Sequence, residues 1–290
     1  MQPFAYARPE TLAEVVALLE RHGPGARLLA GGTDLVINLR DGRFRPEVVI
    51  DVKRVPELAP GIRAGDGGVL VIGATTTMTQ LAAHPVIRRD LAALADGAAV
   101  VGSVQIRNRA TVAGNICNAS PAADTAPALL VHGAIVVATG PDGDRRIPLD
   151  AFFVRSGVTT LGPAELVRAI EIPAPGSRIA SAHQRRTRRR GHDLASVTVA
   201  CGVDAAGLVR VAFGSVGPRP LLRVDETGAL GDPEATDEAR AAAFEAIFAD
   251  ATPSATSMRA GAEYRLAMLR VLGRRALEAA LGRMDAGAAA

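Results

Sequence analysis

Residues 100–124 read VVGSVQIRNRATVAGNICNASPAAD, and the fold is read outward from them. The stretch is too polar and too interrupted by glycine for an ordinary core element, yet too apolar for a surface linker. Ser103, Gln105, Arg107, Asn108, Thr111, Gly114, Asn115, Asn118, Ser120 and Asp124 place ten side chains or bare backbone sites able to face a polar ligand in one short span. A second stretch of the same character, on a smaller scale, is RLLAGGTDL at 27–35. Two such loops in one chain point to a single guest gripped from two sides.

The rest of the chain bounds that guest. A length of 290 residues suits two domains, or one with a sizeable subdomain, and 48% hydrophobic with 22% charged content is that of a globular protein in water. A net charge of +3 is not that of a dedicated nucleic-acid binder. Cys117 and Cys201 stand far apart, giving neither a disulfide framework nor the spacing of a zinc or iron–sulfur site, so metal chemistry is expected on another chain. The N-terminus shows no basic-then-apolar signal region, and no apolar run reaches the roughly 18 residues of a membrane span. The expectation is a cytoplasmic protein, unless a partner carries an export signal.

Thr11, with Glu14 three residues on, predicts a capping box for a helix through Leu12, Val15, Val16, Leu18 and Leu19, ended by Gly23 and Pro24. A short strand at 26–30 then runs into the glycines, Leu35, Val36 and Leu39 resume a helical pattern, and EVVID at 47–51 is a buried strand. The turn Asp66, Gly67, Gly68 predicts a hairpin. Thr77 with Gln80 caps a short helix, and a longer one is predicted from Pro85 to a stop at Gly97. AIVVAT and RRIPL form a second hairpin, LVRAIEIP is an apolar strand, and Pro173, Pro175 and Gly176 mark a boundary. Beyond it lie three β-like runs near 181–186, 194–203 and 208–216, then helices at 236–248 and about 257–284. In the last helix Tyr264, Met268, Val271, Leu272, Leu277 and Leu281 make a stripe that belongs to core or interface. The expected domains are 1–175, split near 57 and 58, and 176–290.

Paired glycines after a strand let backbone N–H groups approach an anion, and a helix start behind them adds the positive end of its dipole. A pyrophosphate suits 30–34; a tight strand-to-helix turn needing positive φ is the other reading. No G-x-G-x-x-G follows a first strand and no G-K-S/T occurs, which disfavours a Rossmann fold. TVAGN at 111–115 reads as a second small-residue turn, suited to phosphate or ribose oxygens. Asp124 can accept two hydrogen bonds from a sugar or adenine edge, or it can cap the apolar helix of 125–131; both readings stand.

AGGTDL, GATTTMTQL, GSVQIRNRATVAGNICNASPAAD, ELVRAIEIP and AEYRLAMLRVLGRRAL, in that order, resemble the FAD-binding subunit of the molybdenum hydroxylases, the xanthine dehydrogenase and carbon monoxide dehydrogenase group. The resemblance covers nearly the whole chain. It implies an α+β architecture: a two-subdomain FAD-binding fold of the PCMH (vanillyl-alcohol oxidase-like) type, then a small α+β C-terminal domain of a three-stranded sheet and helices. It implies that Arg27, Ala30, Gly31, Gly32, Thr33, Asp34 and Leu35, with Thr111, Ala113, Gly114 and Asn115, hold the pyrophosphate side of FAD, and that Asp124 bonds the adenosine side. Val101 matches a position near the flavin ring, Val167 an apolar adenine or flavin contact, and Asp193 a position beside the flavin face. Arg185 falls where relatives commonly have lysine, and a planar fork does not replace a compact ammonium conservatively. Ala113 stands where the family usually has glycine, and is expected to fit if its φ is negative.

The implied function is electron transfer. Electrons from a molybdenum cofactor on a large partner subunit pass through 2Fe–2S clusters of a small one to FAD and on to an acceptor, in an assembly expected to be a dimer of heterotrimers. GGTDL resembles the xanthine dehydrogenase side of the family more than the GGHSL-like form usual on the carbon monoxide side; purines, N-heteroaromatics and aldehydes are the expected substrates of the complex. A stand-alone flavin oxidase and a cofactor-free scaffold are the other readings. No side chain is expected to act as acid or base, and His22, His84, His132, His183 and His192 are assigned structural or solvated roles. Arg185, Arg186, Arg188, Arg189 and Arg190 form a basic run, but with 3% aromatic residues and no Trp it reads as a solvated turn, a docking site or an attractor of an anionic acceptor rather than a nucleic-acid site. Cys117 reads as a small packed residue.

Overall fold

β1 (Ala5–Ala7), α1 (Leu12–His22), β2 (Ala26–Leu29), α2 (Leu35–Arg40) and β3 (Val48–Asp51) build a parallel sheet of order β1-β3-β2. The computed structural model describes residues 1–174, 176 and 178–288; Pro175, at the expected boundary, and the tail residues Ala289 and Ala290 lie outside the described residues. Val15, Val16 and Leu19 of α1 recur at helical spacing and bury against Val48 and Ile50. The Thr11 hydroxyl accepts from the Glu14 N–H at 3.2 Å, but the Glu14 carboxylate takes the Glu10 N–H at 2.8 Å, so the expected capping box is only half made. β1 precedes the first predicted element; three residues between prolines carry too short a pattern to be read.

The second unit comprises β4 (Ile62–Ala64), β5 (Leu70–Gly73), α3 (Met78–Ala83), α4 (Pro85–Asp90), α5 (Ala92–Ala99), α6 (Val104–Arg107), α7 (Val112–Cys117), α8 (Thr125–Val131), β6 (Ile135–Gly140), β7 (Gly143–Pro148), α9 (Leu149–Phe152), β8 (Phe153–Arg155), β9 (Val158–Thr159) and β10 (Leu166–Ile172). Its antiparallel sheet has the order β4-β5-β10-β6-β7, with both expected hairpins at its edges. Thr77 and Gln80 make a complete capping box at α3. The long helix predicted from Pro85 is two helices, because Leu91 (φ −127°, ψ 47°) breaks it. Gly97 does not stop α5 but lies inside it: a Cβ there would sit 2.6 Å from the Asp124 carbonyl oxygen, so α5 presses bare backbone against the chain entering α8.

The third unit is β11 (Ile179–Arg186), β12 (Val197–Asp204), β13 (Val209–Gly214) and β14 (Leu221–Val224), with α10 (Asp237–Phe248) and α11 (Ala262–Ala288). Its sheet has four strands in sequential order, not the three expected; β14 is a half-exposed four-residue edge strand with no alternation to reveal it. β12 is buried along nearly its whole length, as a strand covered on both faces must be. Ala200 and Ala212 share the core of the first two units, while Val199, Cys201, Val211 and Phe213 pack with Phe244, Phe248, Leu269 and Leu272 of α10 and α11. α8, buried at every position, is the layer between the second unit and this sheet.

Candidate functional site

The two loops singled out in the sequence touch. A Cβ on Gly31 would stand 2.1 Å from the Arg109 carbonyl oxygen, inside any permitted contact, so the bare backbone of the first loop lies directly on the central stretch. Gly32 has φ +76°, a left-handed conformation that glycine adopts without penalty. Across Gly31, Gly32, Thr33 and Asp34 no backbone N–H meets an acceptor among the described residues; the chain is next tied at Val36, whose N–H reaches the Gly32 carbonyl at 3.0 Å. The Asp34 side chain does not cap α2. Successive unsatisfied N–H groups in a turn form an anion-binding concavity.

TVAGN, expected as a turn, is the start of α7, with Thr111 as its cap. The Thr111 hydroxyl accepts from the Gly114 N–H at 3.1 Å, and the Thr111 carbonyl accepts from Asn115 N–H at 2.9 Å. An isolated antiparallel bridge between Thr77 and Thr111 fixes the cap, the Met78 N–H meeting the Ala110 carbonyl at 2.9 Å and the Val112 N–H the Thr76 carbonyl at 3.0 Å. Ala113 is buried in the first turn, and among the described residues Ala119 and Ser215 are the non-glycines with positive φ, so Ala113 has the negative φ that lets it replace glycine. The Asn115 amide oxygen accepts from the Thr125 hydroxyl at 2.7 Å, while its amide nitrogen has no acceptor among the described residues.

Asp124 is buried and its side chain does not cap α8, which removes the capping reading. One oxygen, Oδ2, pairs with Arg185 Nη1 at 2.6 Å; the other, Oδ1, is buried without a hydrogen-bond partner. His183 Nε2 lies 3.7 Å from that orphaned oxygen and instead meets the Thr198 hydroxyl at 2.7 Å. His183 and Arg185, two apart on β11, point to the same face of the sheet. Burial pushes the Asp124 carboxyl up to about 7, with Arg185 pulling the other way. Burial lowers His183 to about 4, so its imidazole is neutral at neutral pH. His183, expected in a structural or solvated role, is buried with its ring on Thr198, and its spacing from Arg185 is what brings it beside Asp124.

The remaining expected residues are placed differently. Arg27 donates to the carbonyls of Pro24 and Ala26 at 2.8 and 2.7 Å and stacks over Phe44, bracing β2. Ala30 and Leu35 are half-buried on either side of the glycines. Val101 packs at the margin of the core and its carbonyl accepts from Arg107 at 3.2 Å. Val167 is buried in β10 opposite Ala138, beside a bulge. Asp193 accepts from the backbone and guanidinium of Arg188 and from the Leu194 N–H, so both oxygens are engaged locally; Arg188 holds this carboxyl well below the usual range. The basic run folds back on the chain: Arg185 on Asp124, Arg186 on the Tyr264 hydroxyl, Arg188 on Asp193 and Arg189 on the His192 carbonyl. Burial raises the Cys117 thiol to about 12, as for a packed residue rather than a reactive one.

An array of free donors and a buried orphan acceptor suit one elongated ligand, with anionic groups against 31–34 and a hydroxyl or amine donor on Asp124. Comparison with known proteins identifies the family. The family profile described as FAD binding domain in molybdopterin dehydrogenase matches residues 2–175, and that of the CO dehydrogenase flavoprotein C-terminal domain matches 182–280. The carbon monoxide dehydrogenase medium chain of Hydrogenophaga pseudoflava is 35% identical over 97% of this chain and 98% of its own. The xanthine dehydrogenase FAD-binding subunit of Escherichia coli O157:H7 is 32% identical over 96% of each. Among solved structures, a chain of the Hydrogenophaga pseudoflava carbon monoxide dehydrogenase that lacks the Mo-pyranopterin moiety of its cofactor superimposes with a TM-score of 0.88 at 34% identity, covering 98% of this chain and 99% of that one.

Proposed function

The chain belongs to the family of FAD-binding subunits of the molybdenum hydroxylases, and we propose that the free N–H groups of Gly31 to Asp34 receive the FAD pyrophosphate while Asp124 Oδ1 accepts from the adenosine end. The observation that carries this reading is the buried Asp124 oxygen with no hydrogen-bond partner among the described residues, set against four backbone donors that meet no acceptor among them, in the loop that touches the same stretch. A buried acceptor without a donor is costly, and a ribose hydroxyl or adenine amine relieves it.

The chain's own residues bind and orient. The Thr77–Thr111 bridge and the Thr111 cap set the height of α7, presenting the Asn115 amide nitrogen to a phosphate or ribose oxygen. Arg185 takes one Asp124 oxygen and so aims the other. Arg27 braces the strand that ends in Ala30, Leu35 opens the helix behind the glycines, Ala113 and Gly114 form the floor of the second turn, Val101 and Val167 supply apolar contact, and Asp193 holds the loop that follows Arg185 in shape. When bound, FAD supplies the redox chemistry, taking up electrons and releasing them to an acceptor. The oxidoreductase role is that of a flavin subunit, and substrate oxidation belongs to a partner.

The matched relatives are medium chains and FAD subunits of multi-subunit dehydrogenases. On that basis the partners are a large subunit with the molybdenum cofactor and a small one with 2Fe–2S clusters, as a dimer of heterotrimers. No helix among the described residues is long and apolar enough to cross a membrane, and we place the complex in the cytoplasm. The GGTDL form of the first loop favours a purine, N-heteroaromatic or aldehyde as the substrate of the complex. Residues 1–175 are the FAD-binding unit and 176–290 the C-terminal one.

The test is reconstitution. The purified chain takes up one FAD and turns yellow, turns over no substrate alone, and accepts electrons once its companion subunits are added. A folded chain that takes up no FAD overturns the site, and substrate oxidation by the isolated chain overturns the division of labour.

A further inference from the structure

A cleft of about 750 Å³ opens where the second unit meets the C-terminal sheet, and none of its lining residues belongs to the site described above. Its walls are apolar and come from both sides: Leu70 of β5, Val131 of α8 and Ile172 of β10 face Ile179 of β11. Its volume is within the roughly 300–1,000 Å³ of small-molecule sites, which pair an apolar lining with a few converging polar groups.

The polar groups here are unequal. Arg89 is closed on Asp90 through two hydrogen bonds of 2.7 Å, and this removes the one carboxylate of the lining. Arg210 Nη1 is buried without a hydrogen-bond partner, its nearest carboxylate, Asp204, being 4.0 Å away. Arg178 donates to the Arg283 carbonyl and pairs with no carboxylate among the described residues. His132 is turned to the Ser181 hydroxyl at 2.9 Å. The cleft thus sets Arg178, which pairs with no carboxylate among the described residues, and Arg210, held only by a long 4.0 Å ion pair with Asp204 and no hydrogen bond at Nη1, against an otherwise apolar space.

We propose that this cleft binds an apolar monocarboxylate, its carboxylate on Arg210 and Arg178 and its hydrocarbon body along Leu70, Val131, Ile172 and Ile179. A carboxylate takes guanidinium N–H donors in a fork geometry, and a guanidinium nitrogen such as Arg210 Nη1, left without a hydrogen bond, rewards such a partner. A polyphosphate does not suit apolar walls, and a neutral hydrocarbon leaves Arg210 Nη1 without a hydrogen bond. Bound there, the ligand touches the FAD-binding unit and the C-terminal sheet at once.

The test uses the full-length, FAD-loaded chain and octanoate, with octanol as the uncharged control, measured by titration calorimetry. Octanoate is expected to bind at least tenfold more tightly than octanol, and Arg210→Gln to weaken octanoate at least tenfold without changing flavin content. Leu70→Trp, which fills the cleft and leaves both arginines in place, is expected to abolish binding, and it decides the question alone should Arg210→Gln fail to fold. No octanoate binding to the unaltered chain, equal binding of octanol, or unchanged binding in Leu70→Trp overturns the proposal.

Discussion

The loop at 30–34 and the helix start at 111–115 meet at Gly31, yet they treat their hydrogen-bonding groups in opposite ways. The first leaves successive N–H groups without acceptors; the second ties its own to Thr76, to the Thr111 hydroxyl and to the Thr111 carbonyl. Both read as phosphate loops in sequence, with small residues, hydroxyls and a following apolar run. On the proposed reading, the difference makes one the ligand surface and the other its foundation, which places the second loop and lends the ligand little beyond the Asn115 amide nitrogen.

The contrast breaks most sharply at the glycines. Gly31→Val forces a side chain into the Arg109 carbonyl and parts the loops, so flavin content after gel filtration should fall below about a tenth of normal. Gly114→Ala meets only the Thr111 hydroxyl, at 2.9 Å, and should keep most of its flavin. Equal losses in the two variants would erase the distinction between surface and foundation.

Asp124→Asn comes next. It leaves the half-buried Arg185 guanidinium with a neutral acceptor, a change of about 1–3 kcal/mol in denaturant unfolding. It also isolates the pH dependence. With its carboxyl near 7, Asp124 favours the protonated form in the folded apoprotein, so its contribution to stability falls as pH rises from the ordinary carboxylate range to about 7. The ionised acceptor fraction moves the other way, and FAD affinity should rise about tenfold from pH 6 to pH 8. Fluorescence titration should show that rise in the unaltered chain and a flat profile in Asp124→Asn; a rise surviving in the variant would assign it to another group. The smallest effect is expected at the foundation: Thr111→Val removes a helix cap, about 1 kcal/mol of stability, and weakens FAD no more than about threefold.

What could be read from the sequence was what short spacing encodes. The Asp66-Gly67-Gly68 hairpin, the Thr77–Gln80 box and the paired glycines each depend on residues within a few positions of one another, and all are present as read. Gly97 was misread because a glycine inside a helix and a glycine ending one look alike until the chain that needs the space, at Asp124, is known. The helix break at Leu91 has no local breaker, and the strands at Ala5–Ala7 and Leu221–Val224 are too short for a pattern. In the site, the Asp124–Arg185 pair spans 61 positions and depends on the register of β11 against β12, which no motif carries. TVAGN reads as a turn rather than a helix start, because the bridge that makes it one comes from Thr77.

The far end of α11 has a practical bearing on that pair. Arg283 grips Asp96 at 2.8 Å and the Ser181 carbonyl at 2.6 Å; Asp96 adjoins Gly97, whose backbone leans on the Asp124 carbonyl. A tag or fusion hung on the C-terminus therefore pulls on a lever two joints from the nucleotide end of the proposed flavin site. Hung on the N-terminus, the same tag pulls on β1, an edge strand paired only to β3, whose other neighbour β2 leads into the glycine loop. Where a label is fixed decides which half of the site it can disturb.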